Sequence, residues 1–302
     1  MKTEVLERCN VCDSTILEAV DPDCCVTRCR ICGFVFDNPR PTLEELVKFY
    51  SRPAQYDSWL GELGPRERLW KRRVKALQPT RRPGSLLDVG TGIGQFLAVA
   101  RGSYSEVYGT EVSSSAIEIA KQKYGLDLFP GIIEDINLGN RVFDNVTLFH
   151  VLEHVPDPRA VLNTCRSLLA EQGILVIAVP QEVSSLRAFM RRMLLKIGWK
   201  NQRKLGKFGL ARISLDSTEV HLSHFTPSVL RRLLRAAGFS LVKETLDPYY
   251  VVTGGASKLK ADAYYYCCLA FLWVFKVNIY DAILVIARKE TIPSTAQPSR
   301  GC

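Results

Sequence analysis

Three glycines and two carboxylates have residue types and spacing that suit the binding of a small ligand. Residues 87–96 read Leu-Asp-Val-Gly-Thr-Gly-Ile-Gly-Gln-Phe, a short apolar strand followed by glycines spaced G-x-G-x-G. Such glycines let the backbone approach a ligand at the carboxyl end of a strand. Asp88 precedes the first glycine, where a carboxylate suits a cationic ligand better than a pyrophosphate. Glu111, at the end of a second predicted strand, is placed to accept hydrogen bonds from both hydroxyls of a ribose.

A second set of ligand-type residues lies near the N-terminus. Cys9-x2-Cys12 and Cys29-x2-Cys32 are separated by 16 residues, which is the spacing of a four-cysteine zinc site. Four thiolates close a tetrahedron, so this metal is expected to be structural rather than catalytic. Cys24 and Cys25 are spare thiols that can substitute in the ligand set. The alternatives are reduced structural thiols or a ribbon that has lost its metal.

Alternating strands and helices follow in the rest of the chain and must position the glycine loop. Strands are predicted at 86–89, 106–111, 142–150, 174–179, 239–245 and 282–287. Helices are predicted after Ser113, at Asp157-Pro158 and at Thr226-Pro227, where capping residues stand. This alternation predicts an α/β fold with a mostly parallel, doubly wound sheet.

The chain divides into four predicted regions. Residues 1–40 form the zinc ribbon, and 41–83 form a helical linker that is expected to cover the ligand site. The linker contains a capping box at 42–45 and a basic helix at 66–75 with one buried stripe and a solvated basic face. Residues 84–290 form the sheet domain, with an inserted lid at 183–220 and an aromatic segment at 256–280, and 291–302 form a flexible tail.

Taken together, the motifs resemble those of the class I S-adenosylmethionine-dependent methyltransferases over roughly residues 85–290. LDVGTGIGQF is similar to their first motif, Glu111 in YGTEVS to the second, and FDNVTLFHVLEHVPDP at 143–158 to the fourth. EVHLSHFTPSVLRRLLRAAGF at 219–239 resembles a subgroup that acts on quinones, sugars or glycolipids, and natural products. The resemblance implies a seven-stranded Rossmann-like sheet and S-adenosylmethionine as cofactor.

The resemblance also implies a set of cofactor contacts. The glycine loop is expected to hold the methionine part, Glu111 the ribose, and the segment after the third strand the adenine. Ile132 stands where the family commonly has an acidic residue, so the polar adenine contact is expected from Glu134 or the backbone. The implied residues are Asp88, Gly90, Thr91, Gly92, Gly94, Glu111, Val112, Ile133, Glu134, His150 and, folding over the cofactor, Tyr56.

Methyl transfer demands little acid–base chemistry, because the sulfonium is already activated and in-line approach in a dry pocket accounts for most of the rate. A base is needed only when the acceptor is a weakly acidic hydroxyl, and a histidine tuned near neutral pH then suits. The candidates are His154, His221 and His224. The alternative is that these histidines are orienting or structural partners.

Composition bounds the class of protein and its partners. The chain has 302 residues, of which 47% are hydrophobic and 24% charged, which excludes disordered and fibrous proteins. The N-terminus lacks an export signal and no apolar run is long enough to span a bilayer, so a cytoplasmic location is expected. The net charge of +9 favours phosphate-bearing or anionic-membrane partners.

Two segments bear on the methyl acceptor. Residues 185–199 place apolar and basic side chains on different sides of a helix, which is typical of helices that lie on anionic membranes; the alternative is a packed lid. The aromatic run at 264–275 is expected either to line a lipid-sized pocket or to be buried in the core. We therefore expect a small or lipid-linked acceptor methylated on oxygen or carbon, and possible peripheral attachment to an anionic membrane surface.

Two other functions compete with this one. A zinc ribbon and a basic face also describe RNA methyltransferases, but the basic residues near 187–207 alternate with long aliphatic side chains, which favour lipid over base stacking. FHVLEH also lacks the N/D-P-P-[FYW] pattern of enzymes that methylate the amino groups of bases. A non-enzymatic zinc-ribbon adaptor is disfavoured because Asp88, the glycines and Glu111 are all intact.

Overall fold

A computed structural model of the chain describes residues 2–52, 56–198, 210, 219–248, 250–251 and 254–290. The tail at 291–302 and most of the predicted lid after residue 198 lie outside these residues. The strands are β1 (Thr3–Glu4), β2 (Leu17–Asp21), β3 (Val26–Cys29), β4 (Val35–Asp37), β5 (Arg40–Pro41), β6 (Ser85–Val89), β7 (Glu106–Glu111), β8 (Phe129–Pro130), β9 (Phe143–Phe149), β10 (Leu169–Pro180), β11 (Ser223–His224), β12 (Phe239–Leu246) and β13 (Ala282–Lys289). The helices are α1 (Leu43–Tyr50), α2 (Asp57–Gly61), α3 (Leu63–Leu77), α4 (Gln95–Ala100), α5 (Ser114–Tyr124), α6 (Pro158–Leu168), α7 (Leu186–Lys196), α8 (Pro227–Ala236) and α9 (Gly255–Phe275).

A seven-stranded sheet forms the centre of the molecule, with strand order β12-β13-β10-β9-β6-β7-β8. The five strands from β10 to β8 are parallel, and β13 runs antiparallel to both β10 and β12. Apolar side chains of β6, β9 and β10 are fully buried because helices cover both faces of the sheet. The predicted α/β, doubly wound, Rossmann-like sheet is confirmed.

The helix boundaries follow the capping residues of the sequence. Ser113 accepts a hydrogen bond from the Ala116 amide at the start of α5, and Gly125 ends that helix with φ +64°. Asp157 caps α6 in the same way, with Pro158 at the first position. The capping box of α1 is not formed, since the Thr42 side chain makes no capping hydrogen bond, although the helix begins where predicted.

The N-terminal ribbon is a four-stranded antiparallel sheet in the order β11-β4-β3-β2. Its outer strand β11 comes from much later in the chain, so Ser223 pairs with Phe36 and His224 with Val35. The aromatic ring of Phe34 packs 5.6 Å from that of Phe225, between centroids. Ribbon and sheet therefore share one hydrophobic core.

The basic helix α3 differs from the prediction. Exposed basic side chains are present, but Arg66 and Arg73 are buried and face the interior beside the sheet. Arg73 is held by Asp247 in a buried ion pair, in which its Nε lies 2.9 Å from Oδ1. The helix therefore has one buried stripe and exposed basic side chains, but Arg66 and Arg73 belong to the buried stripe.

The two segments expected to bear on the acceptor lie on helices that expose apolar side chains. The aromatic run forms the second half of α9, and Cys268 is the helix's buried residue, whereas Cys267 is exposed. On α7 the apolar side chains of Phe189, Met190 and Met193 are exposed to solvent. Among the described residues, no helix combines the length and apolar character needed to cross a membrane.

Candidate active site

A cavity of about 1140 Å³ opens at the carboxyl ends of the parallel strands. The strand ends Val89, Glu111, Phe149 and Pro180 line its floor, which is where open α/β sheets bind their ligands. Helices α1, α2 and α3 contribute one wall, and α7 and α9 contribute another.

The glycine loop enters this cavity with the backbone geometry that its sequence predicts. Gly90, Gly92 and Gly94 all have positive φ angles, between 58° and 76°. A Cβ atom on Gly92 would lie 2.8 Å from the Trp59 ring, and one on Gly90 2.8 Å from Val151. Both positions therefore require glycine. Gly90, Thr91 and Gly92 line the cavity, whereas Gly94 begins α4 and packs against α5.

Glu111 is fixed by the backbone around it. Its Oε2 accepts the Gly92 amide at 2.7 Å, and its Oε1 accepts the amides of Val112 and Ser113, both at 2.9 Å. Burial raises the pKa of this carboxyl, although the three amide hydrogen bonds oppose the shift. The side chain thus locks the glycine loop to the end of β7 and presents a carboxylate edge to the cavity.

Asp88 is buried at the end of β6. Its Oδ1 accepts the Thr147 hydroxyl at 2.5 Å, and burial raises the pKa of the carboxyl to about 7. A cationic ligand beside it would favour the ionised form. Asp88 and Glu111, with Glu134 nearby on the cavity wall, make this end of the cavity acidic and suited to a sulfonium or ammonium group.

An aromatic cover closes over the glycine loop. Tyr56 is buried and meets Trp59 edge to face, with ring centroids 5.2 Å apart. The Arg66 guanidinium stacks on the other side of Trp59, 3.7 Å from its ring centroid. All three line the cavity, together with Val112, Ile133 and Glu134 on the side predicted for adenine. Trp59 and Arg66 were missed from the sequence, because nothing local indicates that this helix folds back over the loop.

His150 begins the loop after β9 with φ +57° and lines the cavity. Its Nδ1 lies 3.2 Å from Glu153 Oε1, and its Nε2 lies 3.2 Å from Asp247 Oδ2 and 2.9 Å from an Arg73 nitrogen. Burial alone would lower the pKa of His150, but the hydrogen bonds to Asp247 and Glu153 outweigh burial and raise it. The ring is therefore fixed in place by an internal charge network.

His154 lies further along the cavity. Its Nδ1 is 2.8 Å from the Val220 carbonyl oxygen and 2.9 Å from the Tyr50 hydroxyl, so this nitrogen donates a proton to the carbonyl. Its Nε2 is 3.9 Å from Glu153 Oε1, which is beyond hydrogen-bond distance. Burial lowers the pKa of His154, so the neutral ring is favoured.

His221 and His224 lie in different surroundings. His221 lines the cavity between Glu182 and Glu219, with Nδ1 3.0 Å and Nε2 3.6 Å from their carboxylates. Burial opposes its charge, but these glutamates raise the pKa of His221 well above its ordinary value. His224 is outside the cavity lining, buried between Asp37 of the ribbon and Glu182, at 3.1 and 2.9 Å. In the cavity His154 is therefore neutral and His221 is charged, whereas His224 is a structural residue that links the ribbon to Glu182.

The four predicted metal-binding cysteines converge in the ribbon. The sulfurs of Cys9, Cys12, Cys29 and Cys32 all lie within 4.8 Å of one another, with pairs 3.5 Å apart. Each pair forms a tight knuckle: the residues that follow, Asp13 and Gly33, have φ of 62° and 77° and return a backbone hydrogen bond to the first cysteine. Cys24 instead packs in a separate apolar cluster with Val26 and Val35.

Comparison with known families decides the class of protein. The family described as "Methyltransferase domain" matches residues 64–244, more than half of the chain. The chain belongs to this methyltransferase family. It is an S-adenosylmethionine-dependent methyltransferase, and the predicted class and cofactor are confirmed.

Curated relatives match between about two fifths and three fifths of the chain. The ubiquinone biosynthesis O-methyltransferase of Haemophilus ducreyi is 30% identical over 165 residues, which cover 47% of this chain and 69% of the relative. The demethylmenaquinone methyltransferase of Thermotoga maritima is 27% identical over 192 residues, 61% of this chain and 82% of the relative. The Coxiella burnetii ubiquinone biosynthesis O-methyltransferases are 30% identical but are covered over 58% of their length.

Solved structures show the same fold. A S-adenosylmethionine-dependent methyltransferase from Thermotoga maritima superposes with a TM-score of 0.50 and 18% identity, covering 81% of this chain and all of that one. The magnesium protoporphyrin IX methyltransferase of Synechocystis PCC 6803, solved with bound S-adenosylhomocysteine, also gives 0.50, at 15% identity, covering 82% and 99% of the two chains.

Proposed function

We propose that this enzyme methylates an oxygen of a small or lipid-linked ring hydroxyl of the quinol type. The observation that supports it is the single cavity that joins the acidic, glycine-lined end to the neutral His154 ring and to apolar and aromatic side chains. Two relatives named for ubiquinone and demethylmenaquinone methylation agree with such an acceptor. Carbon methylation of the same class of ring is the alternative chemistry.

Within this proposal the cofactor occupies the glycine-lined end. The loop Gly90–Gly92 cradles the methionine half, Asp88 faces its ammonium, and Glu111 accepts both ribose hydroxyls. Val112, Ile133 and Glu134 flank the adenine, and Tyr56 closes the cover. The fit rests on two features of the chain: glycines whose Cβ atoms would clash, and a Glu111 carboxylate already oriented by three amides.

The bound cofactor supplies an activated methyl group, so the protein must align the acceptor and remove its proton. We assign the base to His154, whose Nε2 keeps its lone pair because Nδ1 donates to the Val220 carbonyl. His221 is a poorer base because Glu182 and Glu219 keep it protonated. Its two N–H groups are directed at these carboxylates, so we assign His221 a positive charge that holds the acceptor end of the cavity in place.

A transfer assay tests the proposal. The enzyme and S-adenosylmethionine with a tritiated methyl group are incubated with a short-chain catechol quinol, a polar lipid extract and total RNA in parallel. We expect label in the quinol or lipid fraction, and loss of it in Glu111→Ala. Label confined to RNA would refute the acceptor while leaving the enzyme class intact. Of the basic residues of α3, Arg66 and Arg73 are buried and unavailable to phosphates, whereas Arg68, Lys71 and Lys75 are exposed.

The two histidines are separated by matched variants. His154→Asn should lower kcat by about a hundredfold or more with a phenolic acceptor, as loss of a general base does. His221→Asn should change KM for the acceptor more than the pH profile. Because burial lowers the pKa of His154, wild-type activity should persist below pH 6.5 and fall only in more acidic buffer. Unchanged turnover in His154→Asn would transfer the base to another group.

We also propose that the four ribbon cysteines bind structural zinc. Zinc–sulfur bonds of about 2.3 Å in a tetrahedron place sulfurs about 3.8 Å apart, close to the observed pairs. The closed thiolate set leaves no open position, so this ion takes no part in methyl transfer. Elemental analysis of protein purified without chelator should find one zinc per chain.

The exposed side of α7 favours an acceptor held in a bilayer. Phe189, Met190 and Met193 face solvent, while Arg192 turns back to the Val183 carbonyl at 2.6 Å and Arg191 lines the cavity. The helix therefore presents apolar side chains outward and part of its positive charge inward, the reverse of a packed lid. A lipid-linked quinol would approach the cavity along this helix.

A further inference from the structure

Helix α9 displays an uncharged stripe among its exposed residues, beside the exposed Lys258 and Lys260. Its members recur every three or four residues over four turns, and Trp273 and Leu259 are 76% and 72% exposed. The stripe, called here the α9 stripe, consists of Leu259, Ala263, Tyr266, Cys267, Ala270, Trp273 and Val274. Phe275, the last residue of the helix, and Val277, just beyond it, extend the stripe at 60% and 53% exposure. Contiguous apolar surfaces of this kind mark interaction sites.

The opposite side of α9 packs against the sheet domain. Tyr264, Tyr265, Cys268 and Leu269 pack with Leu246 of β12, Tyr280 and Ala282 in one cluster. Tyr266, Ala270 and Trp273 of the stripe also border a groove beside β12, and remain exposed. The α9 stripe is therefore left over after folding, and not needed to hold the helix on the sheet.

Charge around the α9 stripe is positive. The segment 254–278 has three lysines, Lys258, Lys260 and Lys276, and one acid, Asp262, which is paired with Lys258 at 2.7 Å. The neighbouring helix α7 has four basic residues and no acid. An apolar stripe with flanking lysines, a tryptophan and a tyrosine is the composition of helices that lie in the interfacial region of anionic bilayers.

Helix α7 lies next to α9 at the cavity. The Leu186 amide, at the start of α7, donates to the Ile279 carbonyl at 2.8 Å, and the Arg187 guanidinium stacks 4.3 Å from the Tyr264 ring centroid. Arg187 and Arg191 of α7 and Ser257, Lys260 and Tyr264 of α9 line the same cavity. The two helices thus frame one side of the cavity and both expose apolar residues.

We propose that the α9 stripe docks on the surface of an anionic lipid bilayer. The helix lies in the plane of the membrane, with Trp273 and Tyr266 at headgroup depth and Lys260 and Lys276 against lipid phosphates. A second copy of the chain is a poorer occupant, because two chains of net charge +9 repel each other at a surface already rich in lysine. The docking proposal does not depend on the identity of the acceptor. Delivery of a lipid-linked acceptor to the cavity between α7 and α9 does rest on the proposed function.

Vesicle sedimentation tests the docking. We expect the full chain to pellet with vesicles of equal parts phosphatidylcholine and phosphatidylglycerol, to stay in solution with phosphatidylcholine alone, and to dissociate as salt rises. The double variant Leu259→Glu/Trp273→Glu should partition about tenfold more weakly or worse, since it removes buried apolar area and adds repulsion. The matched control is Val142→Glu, which changes an exposed apolar residue directly before the central strand β9, outside the α9 stripe.

Trp273 also gives a local readout that needs no charge change. Its fluorescence should shift to the blue on anionic vesicles and be quenched by brominated acyl chains, and Trp273→Phe should lose that quenching while still pelleting. Equal vesicle binding by the double variant and the wild type would overturn the proposal. A dimer that the double variant abolishes in vesicle-free solution would make a second copy the occupant. Methylation of a short-chain quinol should be unchanged in the double variant, so failed docking and failed acceptor chemistry are distinguishable.

Discussion

Substitution of Glu111 tests the cofactor end of the site most directly. Its two oxygens accept three backbone amides, and in the proposed complex they also accept both ribose hydroxyls. A hydrogen bond to a charged group contributes about 1.5–3 kcal/mol, so two lost ribose contacts cost at least about 3 kcal/mol. The Kd for S-adenosylhomocysteine should therefore rise roughly a hundredfold in Glu111→Ala.

Glu111→Gln refines the same test. The side-chain amide of Gln keeps one oxygen that can accept hydrogen bonds from the backbone amides of Val112 and Ser113. Its NH2 group faces the Gly92 amide, and no hydrogen bond forms there because both groups are donors. The glycine loop should then lose its anchor, and Gln should recover little of the affinity. Glu106→Gln, an exposed acid at the start of the same strand, is the control.

Isothermal titration gives the Kd values, and thermal unfolding confirms that each variant is folded. If Glu111→Gln and Glu111→Ala both bind S-adenosylhomocysteine as the wild type does, Glu111 anchors the loop only, and the ribose contact lies elsewhere. If Glu106→Gln lost as much affinity for S-adenosylhomocysteine as Glu111→Gln, the effect would come from the overall charge of β7 and not from the position of Glu111.

Three further outcomes follow from groups around the cavity. Because burial raises the pKa of Asp88 to about 7, affinity for S-adenosylhomocysteine should rise about tenfold between pH 6 and 8, and titrations of Asp88→Asn should be flat. Tyr56→Phe should raise the cofactor Kd or lower turnover if the ring closes the site, and a variant like the wild type would indicate simple packing. Burial opposes charge on His224, but Asp37 and Glu182 raise its pKa to about 9. The contribution of charged His224 to the free energy of unfolding is therefore complete below pH 6.5 and is lost as the pH rises through 9. Urea unfolding should show a loss on the order of 3 kcal/mol over that window, and His224→Gln should flatten it.

Local chemistry in the sequence was sufficient to predict the fold. Strand β7 matches its predicted limits and helix α5 begins directly after Ser113 as predicted, because that side chain caps the helix by hydrogen bonding. The glycine loop could be predicted equally well, because its spacing reflects backbone positions with positive φ that favour glycine. The G-x-G-x-G pattern therefore predicted both the turn and the cavity it enters.

Contacts between distant residues could not be predicted in the same way. Arg73 and Asp247 are 174 positions apart, and Tyr50 and His154 are 104 apart. Their pairing depends on which sheet face each helix covers, so no local pattern distinguishes a buried Arg73 from a solvated arginine of α3. The protonation of the histidines followed from these contacts, and sequence alone left His154, His221 and His224 equivalent.

The segment 219–224 links the ribbon to the acceptor end of the cavity. His221 faces the cavity, whereas His224, three residues later, pairs with β4 of the ribbon, and the Leu222 amide between them donates to the Glu153 carbonyl at 2.7 Å. The cofactor carboxylates lie instead on β6 and β7, which are not paired with any ribbon strand. Loss of zinc should therefore disturb the acceptor end and spare the cofactor end.

Cys29→Ser tests this coupling. We expect zinc content to fall and turnover with a quinol acceptor to drop severalfold, while the Kd for S-adenosylhomocysteine stays within about twofold of the wild type. Cys267→Ser, which changes an exposed thiol of α9, is the control for loss of a cysteine. Unchanged zinc would make the assigned ligand set wrong. Lost zinc with full turnover would mean that β4 holds β11 in place without the metal, because the shared core around Phe34 and Phe225 is sufficient to fix His221.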